Sequence, residues 1–339
     1  MQSQAGYRQN LMVGDQCYPA FELRNLLGFI EQHLGQTLVD QLCQQIGIGL
    51  TELESVQFVY VWQVEFALEA LRLNSADPDI GAKLGASYQV KQLDVLQPHL
   101  QQFSDLNQCL QFVIKHPELV GSFTDSIVRV ENDMLWIRWL NTGKSSIEKY
   151  GFQFQHSICS LVSLARQLTA QSVSVDYIHI ALPETTNPFL AEFTGAAITY
   201  DCEYFEWAIS LDSLDLPLSY QFDQADMVLA PPVASLIEKL LSDIRQYFPK
   251  VPTLSAMASK QHMSDRTLRR KLAASGTSYQ KLVDQVRCQH AIGLILQNQL
   301  SIEAIAEQLG YSDPSNFRQS FKHWVGYPPG HFLRLNRND

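Results

Sequence analysis

The sequence predicts an α+β (mixed α/β) domain over residues 1–218, a linker over 219–230, and an all-α domain over 231–339 built on two helix-turn-helix motifs. Three observations predict it. Helical spacing gives way to strand-like stretches between about residues 122 and 211, and no strand signal survives beyond residue 231. Charge divides at the same place: residues 231–339 hold 14 Lys and Arg against 8 Asp and Glu, whereas residues 1–230 hold 11 against 27. A seven-residue layout also recurs 48 residues apart, Ala258-Ser-Lys-Gln-His-Met-Ser264 and Ala306-Glu-Gln-Leu-Gly-Tyr-Ser312.

Composition narrows the class. With 339 residues, 46% of them hydrophobic and 18% charged, the chain buries a sizeable core and is neither collagenous nor low in complexity. No apolar run approaches the ~18 residues that span a bilayer. The N-terminus MQSQAGYRQN lacks a basic segment followed by an apolar core, so a cytoplasmic protein with no membrane partner is expected. The six cysteines (Cys17, Cys43, Cys109, Cys159, Cys202, Cys288) form no CxxC pair and predict neither a zinc site nor a disulfide framework.

The elements follow in order. Phe21, Leu23, Leu26, Leu27, Ile30 and Leu34 share helical spacing, as do Val61, Val64, Phe66, Leu68 and Leu71 ahead of the breaker Asn74-Ser75-Ala76-Asp77-Pro78. Ser122–Val130 and Met134–Leu140, rich in Ile, Val and Trp around Glu131-Asn132-Asp133, predict a hairpin. A long apolar helix is expected from Tyr150 to Thr169. Strands are expected at Val173–Leu182, Ala197–Asp201 and Phe205–Leu211. Asp212–Asp226, acidic and carrying Pro217, marks the linker region, and a helix from Val233 to Tyr247 opens the second domain.

Each copy of the repeat places a small Ala on one helix, then a turn, then a Ser suited to capping the next helix. The units occupy residues 253–275 and 301–325, joined by a helix from Tyr279 to about Gln297. Such units present two recognition helices to successive major grooves if they stand one turn of B-DNA apart, ~34 Å. Arg266, Arg269 and Arg270 line one face of the first recognition helix. Ser315, Arg318, Gln319 and Lys322 line one face of the second. Arg and Gln can make bidentate contacts with guanine and adenine edges. A solvated basic face is the bland alternative for any one of them.

The stretch SIEAIAEQLGYSDPSNFRQSFKHWVGYPPGHFLRL, including Gly310, Phe317, Phe321, Gly326 and Pro329, resembles the C-terminal signature of the AraC/XylS family of bacterial transcription regulators. The first unit resembles it through Ala258, Met263, Ser264, Leu268, Arg270, Leu272 and Gly276. It departs at Gln261 and His262, where the family usually has an apolar residue and often Gly. The resemblance implies Arg266, Arg269, Arg270, Pro314, Ser315, Arg318 and Gln319 as base-facing positions, and Asn316 and Lys322 as phosphate contacts. Residues 21–218 resemble the family's arabinose-binding-like sensor, of the ornithine-utilisation and virulence-regulator branch, through DPDIGAKLGASY, LVSLARQLTA and DYIHIALPETTNPFLAEF. Together these imply an effector-controlled activator, homodimeric, that binds promoter DNA and works with RNA polymerase.

The sensor sequence offers no GxSxG, P-loop, HExxH or GxGxxG, and His33, His99, His116, His156 and His179 lack metal-ligand spacing, so no catalytic residue, cofactor or metal is expected. Trp62, Trp136, Trp139 and Trp207 with Arg129, Arg138 and Arg166 are the candidate lining of an effector pocket, the arginines meeting a carboxylate. The resemblance permits a small molecule such as a fatty acid, an amino acid or an aromatic acid. The alternatives are a sensor domain that only dimerises or binds a protein partner, and, further off, an enzyme fused to the DNA module.

Overall fold

A computed structural model describes residues 6–8, 17–116, 119, 124–141, 146–184, 188–222 and 235–335. The N-terminal domain is a mixed α/β unit and the C-terminal region is helical, as the sequence predicts. Among the described residues no helix is long and apolar enough to cross a membrane. The predicted linker lies mostly at 223–230, outside the described residues, as do Ser122 and Val233.

The chain opens with β1 (Gly6–Arg8) and β2 (Cys17–Pro19), then α1 (Ala20–Leu34), α2 (Gln36–Ile46), α3 (Leu50–Leu53), β3 (Phe58–Tyr60), α4 (Val61–Asn74) and α5 (Ile80–Ala86). Strands β2 and β3 pair antiparallel from Cys17 opposite Tyr60 to Pro19 opposite Phe58, which delivers α1 and α4 side by side. The spacing that predicts α1 and α4 buries Phe21, Leu23, Leu26, Leu27 and Ile30 against Val61, Val64, Leu68 and Leu71, whereas Phe66, grouped with them in the sequence, is exposed.

After α6 (Gln97–Leu100) and α7 (Leu106–Lys115), β4 (Asp125–Glu131) and β5 (Met134–Leu140) form the predicted hairpin, paired from Asp125 opposite Leu140 to Glu131 opposite Met134. Its two-residue turn puts Asn132 and Asp133 at φ 51° and 59°, the left-handed conformation that these side chains tolerate. The long helix α8 (Ile147–Thr169) follows, capped by Ser146, which accepts from the Lys149 amide. Then come β6 (Tyr177–His179), α9 (Pro188–Thr194), β7 (Ala197–Thr199), β8 (Phe205–Ser210) and α10 (Leu211–Leu214). The predicted strand Val173–Leu182 thus shrinks to three residues.

The large sheet runs β1-β4-β5-β8-β6-β7, antiparallel except for the β6–β7 pair. Alternation along the strands gives it two unlike faces. One face, with Trp139 and Phe205, meets Tyr150 and Phe154 of α8 at ring separations of 5.1 to 5.7 Å. Its other face carries Arg138 and Glu206, with Ile127 and Leu140 packing into the core of the second helix-turn-helix unit.

Helix α5 lies against α8 at Gly85, where a Cβ would strike the His156 carbonyl and stand 2.8 Å from the Ser160 amide, both backbone atoms. Gly85→Ala is therefore expected to push the helices apart and destabilise the sensor by about 1–3 kcal/mol, read by thermal denaturation. A midpoint equal to that of the natural chain would exclude this close approach.

The C-terminal region comprises α11 (Leu236–Tyr247), α12 (Leu254–Lys260), α13 (Asp265–Ala274), α14 (Tyr279–Gln297), α15 (Ile302–Gln308), α16 (Pro314–Val325) and α17 (Pro329–Leu335). It has two separate cores. Ile237, Leu240, Leu241 and Ile244 of α11 pack with Met257, Leu268, Leu272 and Val286. Ile292 and Ile295 pack with Ile305, Phe317, Phe321 and Phe332. Helix α14 contributes to both and connects the two units.

Candidate nucleic-acid interface

Both units close their turns with the same hydrogen bonds. In the first, the Met263 amide donates to the Ala258 carbonyl at 2.9 Å and the His262 amide to Ser259 at 3.0 Å. In the second, the Tyr311 amide donates to Ala306 at 2.9 Å and the Gly310 amide to Glu307 at 2.9 Å. These bonds terminate a helix through a left-handed residue, and that residue is Gly310 at φ 83° in one copy and His262 at φ 54° in the other. The departure from glycine at position 262 leaves the turn intact, at a local cost of about 1–2 kcal/mol. Ala258 and Ala306 are fully buried where the paired helices cross.

The turns then launch the recognition helices. Ser264 caps α13, accepting from the Thr267 amide at 3.2 Å. Ser312 does not cap α16. Asp313 does so instead, accepting from the Ser315 amide at 2.8 Å, because Pro314 occupies the first helical position and has no N–H to satisfy. The sequence expectation for that Ser is corrected accordingly.

Arg266, Arg269 and Arg270 are exposed on α13, opposite the buried Leu268 and Leu272. Ser315, Asn316, Arg318, Gln319 and Lys322 are exposed on α16, opposite the buried Phe317 and Phe321, and Pro314 is half-buried at its start. The side chain of Arg318 is held by an ion pair to Glu303 of α15. The Glu303 carboxyl sits below its ordinary value because the amide at the helix start, and then Arg318, favour its charged form. Glu303 is a member of this surface that the sequence analysis missed, although its place in the first turn of α15 was a readable signal.

The sensor candidates do not share one pocket. Arg129, Trp136 and Arg138 converge on the outer sheet face, where Arg129 pairs with Glu206 and Arg138 Nε donates to Glu206 Oε1 at 2.8 Å. Arg129 lies 5.0 Å from the Trp136 ring and Arg138 3.5 Å from the Tyr204 ring. The two guanidiniums thus come to any ligand already paired. Trp62 is 41% exposed on α4, Trp139 and Trp207 lie on the inner sheet face, and Arg166 Nε donates to the Val173 carbonyl at 2.8 Å beneath Phe193. Glu206, fully buried on β8, is the central residue that the sequence analysis missed. Burial alone would raise its carboxyl, but hydrogen bonds from His179 and Arg129 and the charges of Arg138 and Arg129 prevail and hold it at about 2.

The sensor and the second unit touch directly. The Tyr327 hydroxyl donates to the Glu203 carbonyl at 2.9 Å, and a cleft of about 400 Å³ between them is lined by Arg138, Trp139, Tyr204, His323, Tyr327 and Phe332.

Two capped helix-turn-helix units on one chain, each exposing a polar and basic helix, define a DNA-binding protein of the two-motif type. Comparison with known proteins supplies the family. Residues 257–335 match the family described as a helix-turn-helix domain, and residues 38–218 match the arabinose-binding domain of AraC transcription regulators. The chain belongs to the AraC family of transcription regulators. It is 26% identical over 289 residues to the ornithine utilization regulator of Pseudomonas aeruginosa, covering 80% of this chain and 82% of that one. The regulator VqsM of the same organism is 37% identical over 90 residues, 26% of this chain and 27% of that one. The crystal structure of the transcriptional regulator CdpR from Pseudomonas aeruginosa aligns with TM-score 0.42 at 20% identity, over 96% of this chain and 100% of that one. All three are named as regulators.

Proposed function

We propose that this chain reads promoter DNA with α13 and α16, and that a small-molecule effector in the N-terminal domain sets how the two helices are presented. The observation that carries the proposal is the matched pair of turns, each delivering a helix with one face buried and the other free to enter a groove. Arg266, Arg269, Arg270, Ser315, Arg318 and Gln319 read base edges, Pro314 supplies shape or methyl contact, and Asn316 and Lys322 contact phosphate. Contact between the sensor and the second unit through Tyr327 and Glu203 supports a coupled arrangement. An effector shifts that arrangement only as far as its affinities for two arrangements differ. Homodimerisation, activation and contact with RNA polymerase are carried over from the family resemblance.

Footprinting and titration of the full chain on selected promoter fragments test the roles. Arg318→Ala is expected to cost about 1–3 kcal/mol and relax preference at one base pair. Lys322→Ala is expected to weaken all sequences evenly and lower the salt slope by about one. Equal, sequence-independent losses from both would reject the assignment.

A further inference from the structure

We propose that the sensor binds a small neutral hydrocarbon group, one ring or a chain of about six carbons, in an apolar cavity between α7, α8 and the sheet, and that this group is the effector. Its regulatory half rests on the function proposed above, and its binding half does not.

The cavity measures about 110 Å³. Leu106 and Cys109 of α7, Leu161 and Leu168 of α8, and Trp207 and Ile209 of β8 are among its walls, which are aliphatic apart from Trp207 and the Cys109 thiol and carry no charged side chain. The space opens to solvent on one side, but water gains few hydrogen bonds from these walls, and an apolar molecule of matching size recovers the dispersion contacts that water leaves unmade. Burial and the neighbouring Asp105 push the Cys109 thiol up to about 12, so this wall carries no charge. Arg129 and Arg138 are held by Glu206 on the opposite sheet face, and Arg166 is not among the lining residues. No cationic side chain lines these walls, so a carboxylate would be desolvated without an ion pair in return.

The same walls hold the chain that leaves the sensor. The Leu106 amide donates to the Leu216 carbonyl at 3.1 Å, and the Leu218 amide donates to Ser104 at 2.9 Å. The Ser219 and Tyr220 amides both donate to the Leu168 carbonyl, at 2.8 and 3.0 Å. Leu106 and Leu168 therefore face the ligand and also fix the segment that leads toward the DNA-binding units. Strand β8 adds a second route, since Trp207 and Ile209 line the cavity while Tyr204 and Phe205, just before and at its start, line the cleft against the second unit.

Benzene added to the full-length chain is the test, with sodium hexanoate as the charged comparator. Saturating benzene is expected to raise the sensor's melting midpoint by about 3 °C and to change operator affinity at least about fivefold, whereas hexanoate does neither. Filling the space with Cys109→Leu, or with Ala165→Met, is expected to abolish both responses. Should either variant fail to fold, NMR contacts from benzene protons to the Leu106 and Leu168 methyls in the natural chain decide, and their absence overturns the site. No benzene shift, an equal shift in both folded variants, or an equal shift from hexanoate overturns it too. A benzene shift with operator affinity unchanged within about twofold overturns the effector role. Failure of the natural chain to prefer any operator overturns the regulator reading and leaves the cavity result standing.

Discussion

Glu206→Ala is expected to destabilise the sensor by about 3–5 kcal/mol at pH 7, because it leaves Arg129 and Arg138 buried with their shared carboxylate gone. The side chains of the three are 1%, 6% and 2% exposed, so water does little to screen the loss. The pH dependence follows from the direction of the shift. The folded-state carboxyl is held at about 2, below its ordinary value of 4.5, so its contribution is complete above about pH 4.5 and is lost as pH falls toward 2. Glu22 has the opposite sign. Burial, partly offset by the hydrogen bond from Tyr88, raises it to about 8, so the folded state keeps a proton that the unfolded chain releases, and stability falls as pH rises from 4.5 to 8. Urea melts across pH 2–9 check both: the gap between Glu206→Ala and the natural chain should be widest near neutrality and close in acid. Glu22→Gln should flatten the decline toward pH 8. Equal midpoints at pH 7 for Glu206→Ala and the natural chain would refute the buried cluster.

The C-terminal domain was legible because its signals are local. Buried apolar residues at helical spacing, a turn of fixed length and a capping side chain all lie within about 20 residues of one another, and the repeat displays them twice. Only the cap of α16 was misplaced, since Asp313 beside Pro314 competes with Ser312 for the same work. The hairpin was equally legible, its β-branched and aromatic strands meeting at a turn whose Asn and Asp accept positive φ. Strands β1, β2 and β3 were not, because three residues carry no usable period and their pairing partners lie far along the chain. The scatter of the sensor candidates over several places has a related cause. Trp62 shares a helix with the core residues Val61 and Val64 but stands on its outer side, and composition cannot distinguish the two. Arg129 and Arg138 were singled out without Glu206. Yet an acidic residue flanked by Phe205 and Trp207 in an apolar strand implies a buried charge, and a buried charge implies a partner.

Phe321→Ala should separate the two DNA-binding units by experiment. Phe321 is fully buried, with its ring 5.8 Å from Phe317 and 5.5 Å from Phe332, and its truncation is expected to cost about 3–5 kcal/mol of stability in that core. That is a large share of the 5–15 kcal/mol that typically holds a domain. Helix α16 depends on this core for its orientation, because Phe317 and Phe321 are the residues that turn Arg318 and Gln319 outward. The first unit is packed around Leu240, Leu268 and Val286 and shares no fully buried residue with the second, the half-buried Phe248 alone among the described residues packing against both cores. The expected footprint is therefore shortened and not abolished, with protection lost over the bases read by α16 and kept over those read by α13. Leu268→Ala should give the mirror image. Loss of the whole footprint in both variants, with each sensor still folded, would show instead that α14 makes the two units fold as one, and independent docking of the two helices would have to be abandoned.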